Sequence, residues 1–289
     1  MKVMRSKTKI KTGFTMIEVL AVITIIAILA AISVSVVGSV LSTAKVASTR
    51  ATIEHLHEVL HKRMDGFTRH LLDMDKKSDP PSYVNLSDVT LLGKRGAIAK
   101  GRKFDFKKHF PQYLDPRTGT TATTAANAAE IFYDFIVNGE TFGTDTEDTD
   151  QGPLRSSIGD TDGDGRMEFV DGWGHPLRFY RWPTRLMSNR SVAKILITSL
   201  PTNLNSDKDD PLGLLNGKLD PNNPDPRKTF HDALTFSVPL IVSAGVDGEL
   251  GLYEPFDFAN FGHLANWDPA KLEDIYDNIT NHNQKAGSN

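Results

Sequence analysis

From residue 19 to residue 44 the chain carries no charged side chain, and residues 19–41 are dominated by Ile, Val, Ala and Leu. A run of that kind closes its backbone hydrogen bonds internally as a helix, and about twenty apolar residues span a hydrocarbon layer. Lys2, Arg5, Lys7, Lys9 and Lys11 precede it with no acid among them. The positive-inside rule therefore keeps the amino terminus in the cytoplasm and sends the bulk of the chain across the membrane. A secretory signal peptide has its cut site after the apolar core; here the small residue, Gly13, comes before it. Glu18 stands at the head of the run, where a carboxylate is costly and tends to be retained for a function.

The order Gly13, Phe14, Thr15, Met16, Ile17, Glu18 resembles the leader junction of the type IV prepilin family, shared by pili and type II secretion pseudopili. In that family Gly is followed by Phe-Thr-x-x-Glu. The resemblance implies that a prepilin peptidase cuts after Gly13 and methylates the new amino terminus, Phe14. It also implies that Glu18 pairs with the cationic terminus of a neighbouring subunit and sets the axial register of a fibre. The plainer alternative for Glu18 is an acid snorkelling near the membrane face.

The formal charge is −3, and removing the leader's five positive charges leaves −3 − 5 = −8. An acidic product argues against a nucleic-acid partner. Cysteine is absent, which excludes a disulfide framework, a thiolate metal site and a cysteine nucleophile. An exported domain without disulfides needs another staple, and bound calcium is the obvious candidate.

Beyond the leader (1–13) and the transmembrane assembly helix (14–41), residues 42–78 read as an amphipathic continuation. Val46, Ile53, Leu56, Val59, Leu60 and Met64 recur at three- and four-residue steps, and some fifty residues of helix would extend roughly 75 Å. Asp79-Pro80-Pro81 ends it. His57 and His61 share one face, but without an HExxH motif a packing or exposed role is preferred to zinc. Residues 79–277 form the head. Residues 82–112 give mixed signals, and their basic cluster with Phe104, Phe106 and Phe110 reads as a solvated face. Residues 125–137 read as a short helix; residues 139–152 and 203–228 read as loops. Strands are predicted at residues 177–182, 192–200 and 234–242, a short helical pattern at 268–277, and a fraying polar tail at 278–289. The fold class is α+β: a long amino-terminal helix packed on a small antiparallel sheet, pilin-like, with large loop insertions.

Residues 160–171 fit a twelve-residue calcium loop. Asp160, Asp162 and Asp164 fall at positions one, three and five, and Gly165 allows the sharp turn at six. Arg166 offers its carbonyl at seven, Glu168 stands at nine and Asp171 closes at twelve. Hard oxygen donors crowded on one short loop repel one another unless a cation sits among them. Asp171 is shorter than the usual Glu and no flanking helices are evident, so the spacing is closer to a dockerin-type loop than to an EF-hand. An acidic turn that binds nothing is the alternative.

Two further segments, Asp171-Gly172-Trp173-Gly174-His175-Pro176-Leu177-Arg178-Phe179-Tyr180 and Ser243-Ala244-Gly245-Val246-Asp247-Gly248-Glu249-Leu250-Gly251, resemble the D-x-W-G-x-P-x-x-Y and S-x-G-x-D-G-x-x-G segments of the major pseudopilin of type II secretion. The insertions at 82–159 and 203–228 fall outside this likeness. The resemblance implies a calcium role for Asp247, with Glu249 or Asp257 as a second acid. It also gives Asp171 two competing duties.

No G-x-S-x-G elbow, Walker loop or dinucleotide fingerprint is present, so no catalytic residue is assigned. The leading expectation is a non-enzymatic pseudopilin with a calcium-stabilised head, held in the inner membrane by one span and then incorporated into an extracytoplasmic fibre. Its expected partners are the prepilin peptidase, other pilin or pseudopilin subunits and the inner-membrane assembly platform. A minor pilin or adhesin, and a membrane-tethered calcium-dependent hydrolase, are the rival readings.

Overall fold

The computed structural model describes residues 15–115, 118–143, 153–198, 207, 210–215, 230 and 238–283. The chain divides into two compact units, Met1–Ala44 and Lys45–Asn289. The first holds the opening of helix α1 (Met16–Lys77), where apolar side chains from Met16 to Leu29 and from Val37 to Leu41 are exposed. Among the described residues no helix is long and apolar enough to cross a membrane. The uncharged run includes residues 32–36, whose side chains lie outside the described residues.

In the second unit the remainder of α1 buries one stripe: Ile53, Leu56, Val59, Leu60, Phe67 and Leu71. These positions continue the three- and four-residue steps read from the sequence, because such spacing puts side chains on one helical face. The head adds helices α2 (Leu86–His109), α3 (Ala125–Asn138) and α4 (Arg190–Leu196). Strands β1 (Ile158–Gly159) and β2 (Glu168–Phe169) make an antiparallel pair, and β3 (Arg178–Tyr180), β4 (Leu240–Ser243) and β5 (Ile279–Thr280) make an antiparallel sheet in the order β3-β4-β5.

That three-stranded sheet is covered on both faces. In register, Phe179 lies opposite Ile241 and Tyr180 opposite Leu240, and alternation sends successive side chains to opposite sides. Phe179, Ile241 and Ile279 join the core built with α1 and α3, where the Phe132 and Phe179 rings stack at 5.0 Å. Tyr180, Leu240 and Val242 join a second core with Val192, Ala193 and Leu196 of α4. Burial of a large apolar side chain is worth about 1.5–3 kcal/mol, so both layers contribute to holding the strands.

Three local readings are corrected. Residues 190–196 form a helix, where a strand was expected at 192–200; Asn189 accepts the amides of Ser191 and Val192 as an amino-terminal cap, and that cap outweighs the β-branched composition. Residues 86–109, read as mixed, are helical across a kink at Gly93. Residues 278–283 are not a fraying tail: Ile279 and Thr280 form β5, and Asn278, Asn281 and Asn283 are buried. The expected helix at 125–137 and a strand within 177–182 are present. The loops at 139–152 and 203–228, and residues 284–289, lie largely or wholly outside the described residues.

Candidate cation site and the amino-terminal motif

The loop after β1 is shaped by its own aspartates. Asp160 accepts the amides of Gly163 and Gly165, Asp162 accepts that of Asp164, and Asp164 accepts that of Arg166, at 2.7 to 3.3 Å. Gly165 has φ of 92°, a left-handed value that a side chain would strain. Asp160, Asp162 and Asp164 bring carboxylate oxygens within 4.8 Å of one another, all three residues being exposed.

A second group was not read from the sequence. Glu130 of α3, Asp162 and Glu168 of β2 also bring carboxylate oxygens within 4.8 Å of one another. Unlike the loop aspartates, Glu130 and Glu168 are 1 % and 0 % exposed. Burial pushes both carboxyls up from the usual range, opposed at Glu130 by an Asn127 amide and at Glu168 by the Thr161 amide and hydroxyl. The Arg166 guanidinium lies against Glu130 and reaches Asp115 at 3.3 Å. A lone acid at position 130, inside the apolar pattern Ala128, Ala129, Ile131, Phe132, was the available signal.

Asp171 is not among the carboxylates gathered at this loop. Its Oδ1 accepts the amides of Trp173 and His175 at 2.9 Å, and its Oδ2 accepts the Ser243 hydroxyl at 2.6 Å. Of its two expected duties, Asp171 performs the one at the Trp-Gly turn. Gly172 is required there because a Cβ would lie 2.6 Å from the Lys45 carbonyl oxygen. In the Asp-Gly loop, Asp247 accepts the Glu249 amide at 2.8 Å. Glu249 pairs with Lys271 and Asp257 binds Asn260, whereas Asp277 accepts the amides of Val246 and Asp247. Asp277, absent from the sequence reading, is thus a further carboxylate held against that loop by backbone amides.

At the amino-terminal motif, Thr15 and Glu18 form a reciprocal capping box. The Thr15 amide and hydroxyl donate to Glu18 Oε2 at 2.7 and 2.8 Å, and the Glu18 amide donates to Thr15 Oγ1 at 3.4 Å. Helix α1 thereby starts two residues after Phe14. Gly13 and Phe14 lie outside the described residues.

A long amino-terminal helix followed by small antiparallel sheets in an α+β head is a pilin-like architecture. Residues 8–34 match the family model described as the prokaryotic N-terminal methylation motif, the prepilin-type cleavage and methylation motif of type IV pilins and pseudopilins. The chain carries the motif of a type IV pilin-like precursor, a structural subunit class whose members are processed by prepilin peptidase and assemble with other pilins. The motif implies a membrane-anchored form that precedes a fibre-associated one. No curated protein and no solved structure matches the chain.

Proposed function

We propose that this chain is a pseudopilin of a type II secretion system: a structural subunit cut between Gly13 and Phe14, held in the inner membrane by residues 14–41, and polymerised through that helix. The observation that carries the reading is the apolar surface exposed on α1 from Met16 to Leu29 and from Val37 to Leu41, within and just beyond the methylation motif. Apolar area of that extent requires lipid or neighbouring helices to cover it. The Trp-Gly and Asp-Gly segments support the pseudopilin reading over other pilin-like subunits, since Asp171 and Ser243 join them in one buried arrangement. Glu18 guides docking by pairing with a neighbour's methylated amino terminus. The test is expression with a type II secretion assembly system. Wild-type chain should enter fibres, while Glu18→Leu should be processed and stay in the membrane; Glu18→Leu in fibres at wild-type amounts would overturn the role of Glu18, and wild-type chain absent from fibres would overturn the subunit reading.

The head in this reading is stapled by calcium at the loop of Asp160, Asp162 and Asp164, with the Arg166 carbonyl and Glu168. Carboxylate and carbonyl oxygens suit a hard cation and leave softer metals without nitrogen or sulfur donors. Asp247, with Asp277, is the candidate in the second loop. A chelator should lower the melting temperature of the full chain in detergent; no shift, together with no bound metal, would remove both sites.

A further inference from the structure

The buried carboxylates beside the loop carry an inference that deepens the calcium reading and rests on it. Glu130 and Glu168 have almost no contact with solvent, and a buried anion is costly unless a cation or sufficient donors compensate it. Glu168 receives the amide and hydroxyl of Thr161, both at 3.1 Å. Glu130 Oε1 receives the Asn127 side chain at 3.2 Å, whereas its buried Oε2 is ion-paired with Arg166 and has no further hydrogen bond among the described residues. Arg166 is shared with Asp115, itself 3 % exposed. Asp115 and Glu130 thus share one guanidinium, while the Asp162 and Glu168 carboxylates also converge on Glu130, and negative charge is in excess.

We propose that Glu130, Asp162 and Glu168 hold one calcium ion that ties α3 to the loop and β2, with Glu130 supplying the acid that Asp171 does not. Arg166 is the internal counter-ion of the calcium-free state. Its side chain is 40 % exposed, so it can leave Glu130 when calcium arrives and keep Asp115 as its partner. Three oxygens within 4.8 Å of one another can close on an ion that takes ligands at about 2.3–2.6 Å with small side-chain rotations. The site differs from a loop closed at its twelfth position because its closing ligand comes from a distant helix. Calcium binding then reports whether α3 is docked.

The test is isothermal calorimetry with calcium on full-length protein in detergent, before and after substitution. Glu130→Gln should weaken calcium by roughly tenfold or more, since ligand charge sets the affinity of such sites. Arg166→Met should tighten it by removing the competing cation. Glu130→Asp, which keeps the charge and shortens the reach, should fall between wild type and Glu130→Gln, and it serves if Glu130→Gln does not fold. Wild-type affinity in both Glu130 variants would overturn Glu130 as a ligand while leaving calcium in the aspartate loop. Absence of calcium binding by the wild-type chain would overturn this site and the loop reading together.

Discussion

The Ser243 hydroxyl donates to Asp171 Oδ2 at 2.6 Å across a gap of 72 residues. Through this bond the end of β4 and the Trp-Gly turn before β3 share one buried carboxylate, whose other oxygen gathers the Trp173 and His175 amides. Asp171→Ala removes the acceptor for all three donors and should cost about 2–4 kcal/mol in urea denaturation, since the buried Ser243 hydroxyl and the part-buried Trp173 and His175 amides lose their compensation. Ser243→Ala, which removes a donor and leaves Asp171 its amides, should cost about 1 kcal/mol. Neither should reduce the number of bound calcium ions; loss of an ion in Asp171→Ala would return that residue to the metal site.

Arg63 provides a second clamp. Its guanidinium is buried within the head and donates to the Phe135 and Ile136 carbonyls in the last turn of α3, where carbonyls run short of intrahelical donors although that of Phe135 also accepts the Gly139 amide. Burial lowers its pKa to about 10, so it stays charged at neutral pH. Arg63→Met should destabilise the head by about 2–4 kcal/mol, read by chemical denaturation. A change under half that size would show that solvent satisfies the α3 carbonyls.

The amino-terminal motif and α3 were legible because their information is local: Gly13 to Glu18 is a contiguous pattern, and Ile131, Phe132, Phe135 and Ile136 repeat at helical spacing. Helix α2 was hidden by its composition. Four of its six buried residues are the small Gly96, Ala97, Ala99 and Gly101, beside Leu92 and Lys103, and Gly101 is small because a Cβ there would meet Tyr83 at 2.8 Å. Strand β5 was hidden because its neighbours are polar. Asn278 donates to the Leu250 carbonyl, Asn281 binds Pro239 and Ile241 backbone groups, and Thr280 donates to the Leu196 carbonyl. Side chains that hydrogen-bond to distant backbone look like tail residues in sequence and behave as core. The aspartates of the candidate cation site were visible by spacing, whereas Glu130 arrives from another element and only its misplaced charge announced it.

The carboxyl-terminal segment should make the head sensitive to acid. His282 is in ring contact with His57 at 5.9 Å and its Nε2 bonds the Pro239 carbonyl at 2.9 Å. Burial lowers the His282 pKa to about 4, and burial with His61 nearby lowers that of His57, against the raising influence of Glu54 and Glu58. The unfolded chain, with His near 6.5, therefore takes up protons first as pH falls, so stability is full above about 6.5 and declines toward 4. For His282 alone the loss approaches about 3 kcal/mol at roughly 1.4 kcal/mol per unit. Denaturation at a series of pH values should show this slope, and His282→Asn should flatten it; an unchanged slope in the variant would place the acid sensitivity elsewhere.

Calcium removal should act on the head as ligand linkage requires. At about a hundredfold excess over its dissociation constant, an ion bound only by the folded state adds about 3 kcal/mol, or roughly 5–10 °C in melting temperature at this size. The gain should shrink in Glu130→Gln and in Asp162→Asn, which removes a ligand shared by both carboxylate groups. Equal shifts in wild type and Asp162→Asn would exclude the loop as the source.

The central claim, a pilin-like subunit released from its leader, is tested most directly by intact-mass and amino-terminal peptide mass spectrometry on protein recovered from cells with an active prepilin peptidase. The account predicts a mature chain beginning at methylated Phe14. A chain that retains Met1, or one cut beyond Leu41, would contradict it.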